Sequence, residues 1–270
     1  MSVMKNKKAS ELFLKYLKLS TSPVAVKMCT SREEVPSKAK IARKEWGIDF
    51  RACQAVQVAR RYEIPVAVPR YEMPCPTGAV ALGFYKPNAL YYSGLYLSPL
   101  EMSQDAKKVR AKNTPKLKVG KYQFMLAAPL DKASFHPDVV LIYGNPAQIS
   151  RLIQAAVLRT GEFLTAQTTV ATACSEWISA AMNTGECQYV FPCDGERRYG
   201  AVEDTEMVFS VPYRKTEEIL AALKVAYDSK EHRKYPVARF LTYQGPNSER
   251  YEQLIASLRK DAGLDKKQQA

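Results

Sequence analysis

At 270 residues, 46% of them hydrophobic and 25% charged, with a formal net charge of +13, the chain is long enough for a full core. Its composition is that of an ordinary soluble globular protein. The best apolar runs, IPVAV and VVLIY, fall far short of the ~18 residues of a membrane helix, so no membrane span is expected.

The basic start, MSVMKNKKASELFLKYLKL, imitates a signal peptide. However, Lys15 and Lys18 interrupt its apolar part and no small-residue cleavage site follows, which predicts a cytoplasmic protein. Ser10 is placed to cap an opening helix whose apolar positions are Leu12, Phe13, Tyr16 and Leu17. PVAVKM (Pro23–Met28) reads as a strand. Asp49 is placed to cap a helix through Arg61, with Ala52, Ala55, Val56 and Ala59 on one face. IPVAVP is a short strand that Pro69 ends. The segment ALYYSGLYLSP is read as strand.

The clearest unit follows. PDVVLIYG is a continuous apolar run of the buried-strand kind. It leads into NPAQISRLIQAAVLRTG, where Asn145 caps, Pro146 takes the first helical position and Gln148 completes a capping box. Ile149, Leu152, Ile153, Ala156 and Val157 form the buried stripe, and Gly161 closes the helix. TAQTTVATA reads as another strand, before a short helix from Ser175 to Asn183 that buries Trp177, Ile178, Ala181 and Met182. EMVFSVP and the helix from Thr216 to Tyr227 repeat the strand-then-helix order. A last helix, Ser248 to Arg259, is expected to bury Tyr251, Leu254, Ile255 and Leu258. The fold class is α/β: a single domain over residues 1–265, with a mixed β-sheet flanked by helices, and a disordered tail at 266–270.

Part of the charge lies in KKVRAKNTPKLKVGK, Lys107 to Lys121, where seven basic residues meet no acidic one. Such a field can draw in nucleic acid, anionic membrane or acidic metabolites. A solvated connector explains the run as well, and without interleaved aromatics it does not point to nucleic acid.

Several chemistries are excluded. With only His136 and His232, a three-histidine zinc site cannot form. There is no GxxxxGK[ST] loop, no GxGxxG after a strand, and no Cys-x-x-Cys pair. The six cysteines are not expected to form disulfides in a reducing cytosol. What remains is cysteine at element ends. Cys53 falls in the first turn of a helix. Cys75 sits between Pro74 and Pro76, ahead of a segment that Thr77 could cap. Cys174 precedes the Ser175 helix, and Cys193 lies in a Pro-Cys-Asp-Gly turn followed by Glu196, Arg197 and Arg198. Helix starts favour thiolate over thiol, and four thiolates near cations are the ligand set of an iron–sulfur cluster. The spacing alone favours inert core cysteines, since free cysteine is among the most commonly buried residue types.

At RACQAV, PCPTGAVALG, DVVLIYGNPAQ, ATACSEWI, FPCDGERR and DTEMVFSVP the sequence resembles an uncharacterised archaeal-conserved-region family, domain of unknown function 169. The likeness runs from PVAVKM to about SVPYRKTEEILAAL. It implies that Cys53, Cys75, Cys174 and Cys193 share one site, with Cys29 and Cys187 outside it. It brings no reaction with it.

Three functions are then in view. In the first, those four cysteines hold an iron–sulfur cluster, of the four-iron type, for redox, Lewis-acid or sulfur-handling chemistry on a small anionic substrate that Arg197 orients. The second is a metal-free cysteine nucleophile at Cys75 or Cys174, which lacks a histidine base. The third is a non-catalytic binding protein for an anionic partner, with Asn145 and Gln148 at its anion site. A capping box alone also explains those two residues. A small anionic ligand or a redox partner is expected.

Overall fold

The structure, a computed structural model, describes residues 2–97, 103–229 and 249–261. The chain divides into a unit of Met1–Ala226 and a second of Tyr227–Ala270. The first has the α/β fold expected from the sequence, with one mixed sheet flanked by helices. Among the described residues seven strands, β1 (Val24–Cys29), β2 (Lys40–Ile41), β3 (Val66–Pro69), β4 (Phe124–Pro129), β5 (Val139–Gly144), β6 (Gln188–Val190) and β7 (Met207–Pro212), lie in the order β2-β3-β4-β1-β5-β7-β6. Only the short β2–β3 pair is parallel.

Successive residues of a strand face opposite sides, and here both sides are covered, which is why the central strands read as unbroken apolar runs. On one face Val24, Val26, Met125, Ala127, Val139, Leu141 and Val208 join one core. On the other, Ala25, Leu126, Ala128, Val140, Ile142 and Phe209 join a second. The second core is closed by α1 (Ser2–Leu17), α7 (Pro146–Val157) and α10 (Thr216–Asp228), through Phe13, Leu17, Ile149, Leu152, Ile219 and Leu223. The first is closed by α3 (Ala52–Tyr62), α4 (Pro76–Ala81) and a π-helical segment, Ser175–Ala180, that continues into α8 (Ala181–Thr184). The short α2 (Ala42–Trp46) precedes α3, while α5 (Ala89–Ser93) and α6 (Gln104–Asn113) follow α4, and α9 (Asp194–Gly200) follows β6.

Several local expectations are corrected. α1 starts at Ser2, so Ser10 lies in mid-helix with its hydroxyl buried and without a partner, because the lysine-rich segment before it is also helical. Arg51 rather than Asp49 stands at the cap of α3; Asp49 instead accepts from Arg43 Nε at 2.7 Å. ALYYSG is not strand. Asn88 Oδ1 accepts from Tyr91 N at 2.9 Å to start α5, and Gly94, at φ +70°, ends it. The rest of that segment, from Ser98, lies outside the described residues. TAQTTV is irregular because the Glu176 carboxylate gathers Thr168 Oγ1, Thr169 N and Thr169 Oγ1, at 2.7, 2.7 and 3.1 Å, into a turn that cannot join a ladder. The basic run begins inside α6 rather than in a loop. Ser103 caps that helix, and of its residues only Ala111 is buried.

In the second unit, α11 (Glu249–Asp261) is helical as expected, but Tyr251, Leu254, Ile255 and Leu258 are exposed. Periodicity identifies an apolar face; it does not supply what covers it. The expected disordered tail at 266–270 lies outside the described residues.

One buried ion pair ties α3 to the segment before β7. Arg60 donates bidentately to Glu206, with Nη1 to Oε2 at 3.1 Å, and also reaches Gln57 Oε1 and Thr21 Oγ1. Removing one partner strands a charge in a dry site. Glu206→Ala is therefore expected to cost about 3–5 kcal/mol in denaturant unfolding, and the double replacement Arg60→Leu/Glu206→Leu clearly less. A single-variant cost below about 1 kcal/mol would refute this account of the pair.

Candidate functional site

Cys53, Cys75, Cys174 and Cys193, spread over 140 positions of the chain (193 minus 53), line one cavity of about 110 Å³ on the first face of the sheet. Two packed pairs of elements bring them there. α3 carries Cys53 and packs on α9, which Cys193 opens. Gly200 eases the close approach, since a Cβ there would lie a tight 3.2 Å from the Gln57 side chain and 3.5 Å from the Cys53 carbonyl. The Cys53 thiol in turn donates to the Gly195 carbonyl at 3.8 Å.

α4 packs on the π segment and so joins Cys75 to Cys174, with Ser179 Oγ donating to the Ala81 carbonyl at 2.8 Å. Gly78 sits between these two cysteines. A Cβ placed on it would be 3.4 Å from each sulfur, so the two sulfurs lie no farther apart than twice that distance. π segments are rare and cluster at functional sites. This one begins directly after Cys174 and buries Trp177 completely, with Ser210 Oγ donating to the Trp177 carbonyl at 2.6 Å.

The double-proline turn has a defined role. Pro76 takes the first position of α4, and Cys75 itself, rather than Thr77, is the cap: its sulfur accepts from Gly78 N at 3.4 Å. Thr77 Oγ1 instead stands 3.3 Å from that sulfur. Prolines on both sides hold the backbone extended, so the direction of the thiol costs little entropy to keep.

Burial pushes the Cys53, Cys174 and Cys193 thiols up, and the charges of the neighbouring cysteines and Glu196 push them further. For Cys193, a backbone hydrogen bond from Ala173 opposes the rise. Metal-free, these groups are neutral thiols at neutral pH, which works against a metal-free thiolate nucleophile at Cys174. Among the described residues, no three His, Cys, Asp or Glu side chains converge closely enough to hold a single metal ion.

Cys29 and Cys187 face the opposite core, buried, each pushed up to about 12 by desolvation. Nor do the other expected residues join the cysteines. Arg197 donates to the Glu203 carbonyl at 2.7 Å and pairs with Asp204, not with Glu196 or Glu206, and does not line the cavity. Asn145 and Gln148 cap α7 reciprocally at 2.9 and 3.0 Å, and the Gln148 amide is also bound to the carbonyls of Leu17 and Lys18.

Sequence reasoning missed the floor and the mouth of the cavity. On the floor, Glu196 is fully buried and accepts from Tyr143 OH at 2.5 Å. Desolvation raises its carboxyl to about 7, with the hydrogen bond from Tyr143 opposing the rise. At the mouth stand Arg51 and Tyr199. The signal for Glu196 was present in the sequence, three residues after a cysteine in a helical register, but nothing local showed that it turned inward.

A mixed-sheet α/β protein with a four-cysteine cavity is the class these features define. The chain belongs to the DUF169 family, described as "Uncharacterised ArCR", whose model matches residues 13–222. It is also similar to the Uncharacterized protein MJ0308 of Methanocaldococcus jannaschii, at 26% identity over 230 residues, covering 83% of this chain and 96% of that one. No solved structure matches the chain. Neither relationship carries an activity.

The direction of the thiol shifts gives a test. Desolvation favours the neutral form, so thiolate appears only as pH climbs above the ordinary cysteine range of about 8.5. In metal-free protein, alkylation of Cys53, Cys174 and Cys193, followed peptide by peptide by mass spectrometry, is expected to keep accelerating beyond pH 9–10. If any of the three levels off below about pH 8, the electrostatic description of the cavity is wrong.

Proposed function

We propose that Cys53, Cys75, Cys174 and Cys193 hold an iron–sulfur cluster, of the four-iron type. The observation carrying this reading is that four cysteines from four separate elements line a single cavity while the remaining two face the opposite core. A ligand set of sulfur alone selects thiophilic metals and iron–sulfur clusters. Gly78, with no side chain, leaves room between two of the sulfurs. The charge balance agrees: four thiolates pressed together repel one another, and a cationic iron core supplies what the metal-free cavity lacks.

When bound, such a cluster supplies electron transfer, or Lewis-acid polarisation of a ligand where one iron keeps an open position. The protein's part is to fix and tune. The Gly78 N–H and Thr77 hydroxyl beside Cys75, and the Ala173 N–H toward Cys193, stabilise negative charge on sulfur. Buried Trp177 and the apolar wall behind it exclude water. Glu196, held by Tyr143, backs the Cys53–Cys193 side.

Protein purified without oxygen, and then reconstituted with iron and sulfide, is expected to carry about four irons and four acid-labile sulfides per chain, with broad visible absorption. Alanine at any of the four cysteines should remove more than about half of the iron, while Cys29→Ala and Cys187→Ala should retain it. Gly78→Val, which fills the space between two sulfurs, should lose iron yet keep its circular dichroism. A colourless protein with less than about one iron per chain after reconstitution ends the proposal.

A further inference from the structure

Arg51 stands at the mouth of the cysteine cavity, at the start of α3. Its guanidinium lies over the Tyr199 ring, 3.6 Å from the centroid. Arg43, Arg60, Arg61 and Arg197 each pair with a carboxylate, whereas among the described residues Arg51 has no acidic group within ion-pair distance. Its Nη1 meets Gln54 Oε1 at 3.5 Å, a long contact, and the rest of the N–H edge of a guanidinium stacked by its face stays available for in-plane bonds to the two oxygens of a carboxylate. Ala52 and Cys53, in the first turn of the 11-residue α3, line the same mouth, so the positive end of that helix adds to the field there. The whole cavity is only about 110 Å³ and the cysteine site shares it, so the room left at the mouth admits a ligand of a few heavy atoms.

We infer that Arg51, held on Tyr199, binds a small carboxylate at the cavity mouth, beside the cysteine site. This rests on the cavity being the functional centre, as proposed above, and names the class of its ligand. It also moves the anion-orienting role from Arg197, whose donors are engaged by Glu203 and Asp204, to Arg51. Tyr199 contributes by fixing the plane of the guanidinium, which otherwise loses rotamer entropy on binding.

The test titrates anaerobically purified full-length protein with formate, acetate and inorganic phosphate, followed by calorimetry and by the visible spectrum, with iron assayed on every sample. Wild type is expected to bind formate or acetate more tightly than phosphate. Arg51→Gln should weaken this by about tenfold or more, because a charge-assisted bidentate contact is lost. Arg51→Lys, which keeps charge but not the fork, should fall between, and Arg197→Gln should stay within about twofold of wild type. Equal affinity in Arg51→Gln and wild type, a preference for phosphate, or no heat with any probe at about 50 mM overturns the inference. Because iron is measured separately, the two ideas can fail separately. Arg51-dependent acetate binding without iron removes the cluster and leaves this site standing. Full iron without anion binding does the reverse.

Discussion

Both faces of the central sheet are covered, and this constraint governs the rest of the molecule. A strand buried on two sides must divide its consecutive residues between two cores, so neighbouring positions in sequence end on opposite sides of the protein. The cysteines follow the same division. Cys29 continues the alternation of β1 into the core under α1 and α7, while the four cavity cysteines belong to the side closed by α3, α4 and the π segment. A single register shift in β1 or β5 would exchange the two faces.

On the cysteine side, the packing depends on small residues. Ala52, Ala55, Val56 and Ala59 let α3 lie close to the sheet. Gly200 lets α9 close on α3, and Gly78 lets α4 approach Cys174. Large side chains at these positions would hold the elements apart and separate the sulfurs. The bulk needed to exclude water comes instead from one residue, Trp177, at the centre of the π segment. Close backbone approach and a dry, sulfur-lined cavity thus come from the same choice of residue sizes.

The buried polar groups extend this organisation outward. Glu196 meets Tyr143 on β5, the Arg60 guanidinium lies 4.4 Å from the centre of that tyrosine ring, and Arg60 closes on the buried Glu206. This chain of contacts links the cavity floor to the sheet and to α3. Each polar member is costly unless paired, so the network holds its elements in one arrangement. The mouth, by contrast, is built from a stacked cation and an exposed ring, which fits a position where something enters.

The sequence by itself determined the α/β class, the strands VAVKM, VVLIY and MVFSV, the capped helix at Asn145, the buried face of α3, and a set of four cysteines at element ends. These are local matters of periodicity, capping and turn chemistry, readable within a dozen residues. Where local signals compete with distant partners, the reading failed. TAQTTV has the composition of a strand, but Glu176 folds it into a turn. Asp49 has the chemistry of a cap, but Arg43 claims it. Arg197 stands near Cys193 in sequence yet turns to Glu203, while Arg51, remote in sequence from three of the four cysteines, stands at their opening. Which cysteines share a cavity, and which charges face it, were decided only by tertiary structure, because the direction of a side chain at a site depends on the packing of elements far apart in the chain.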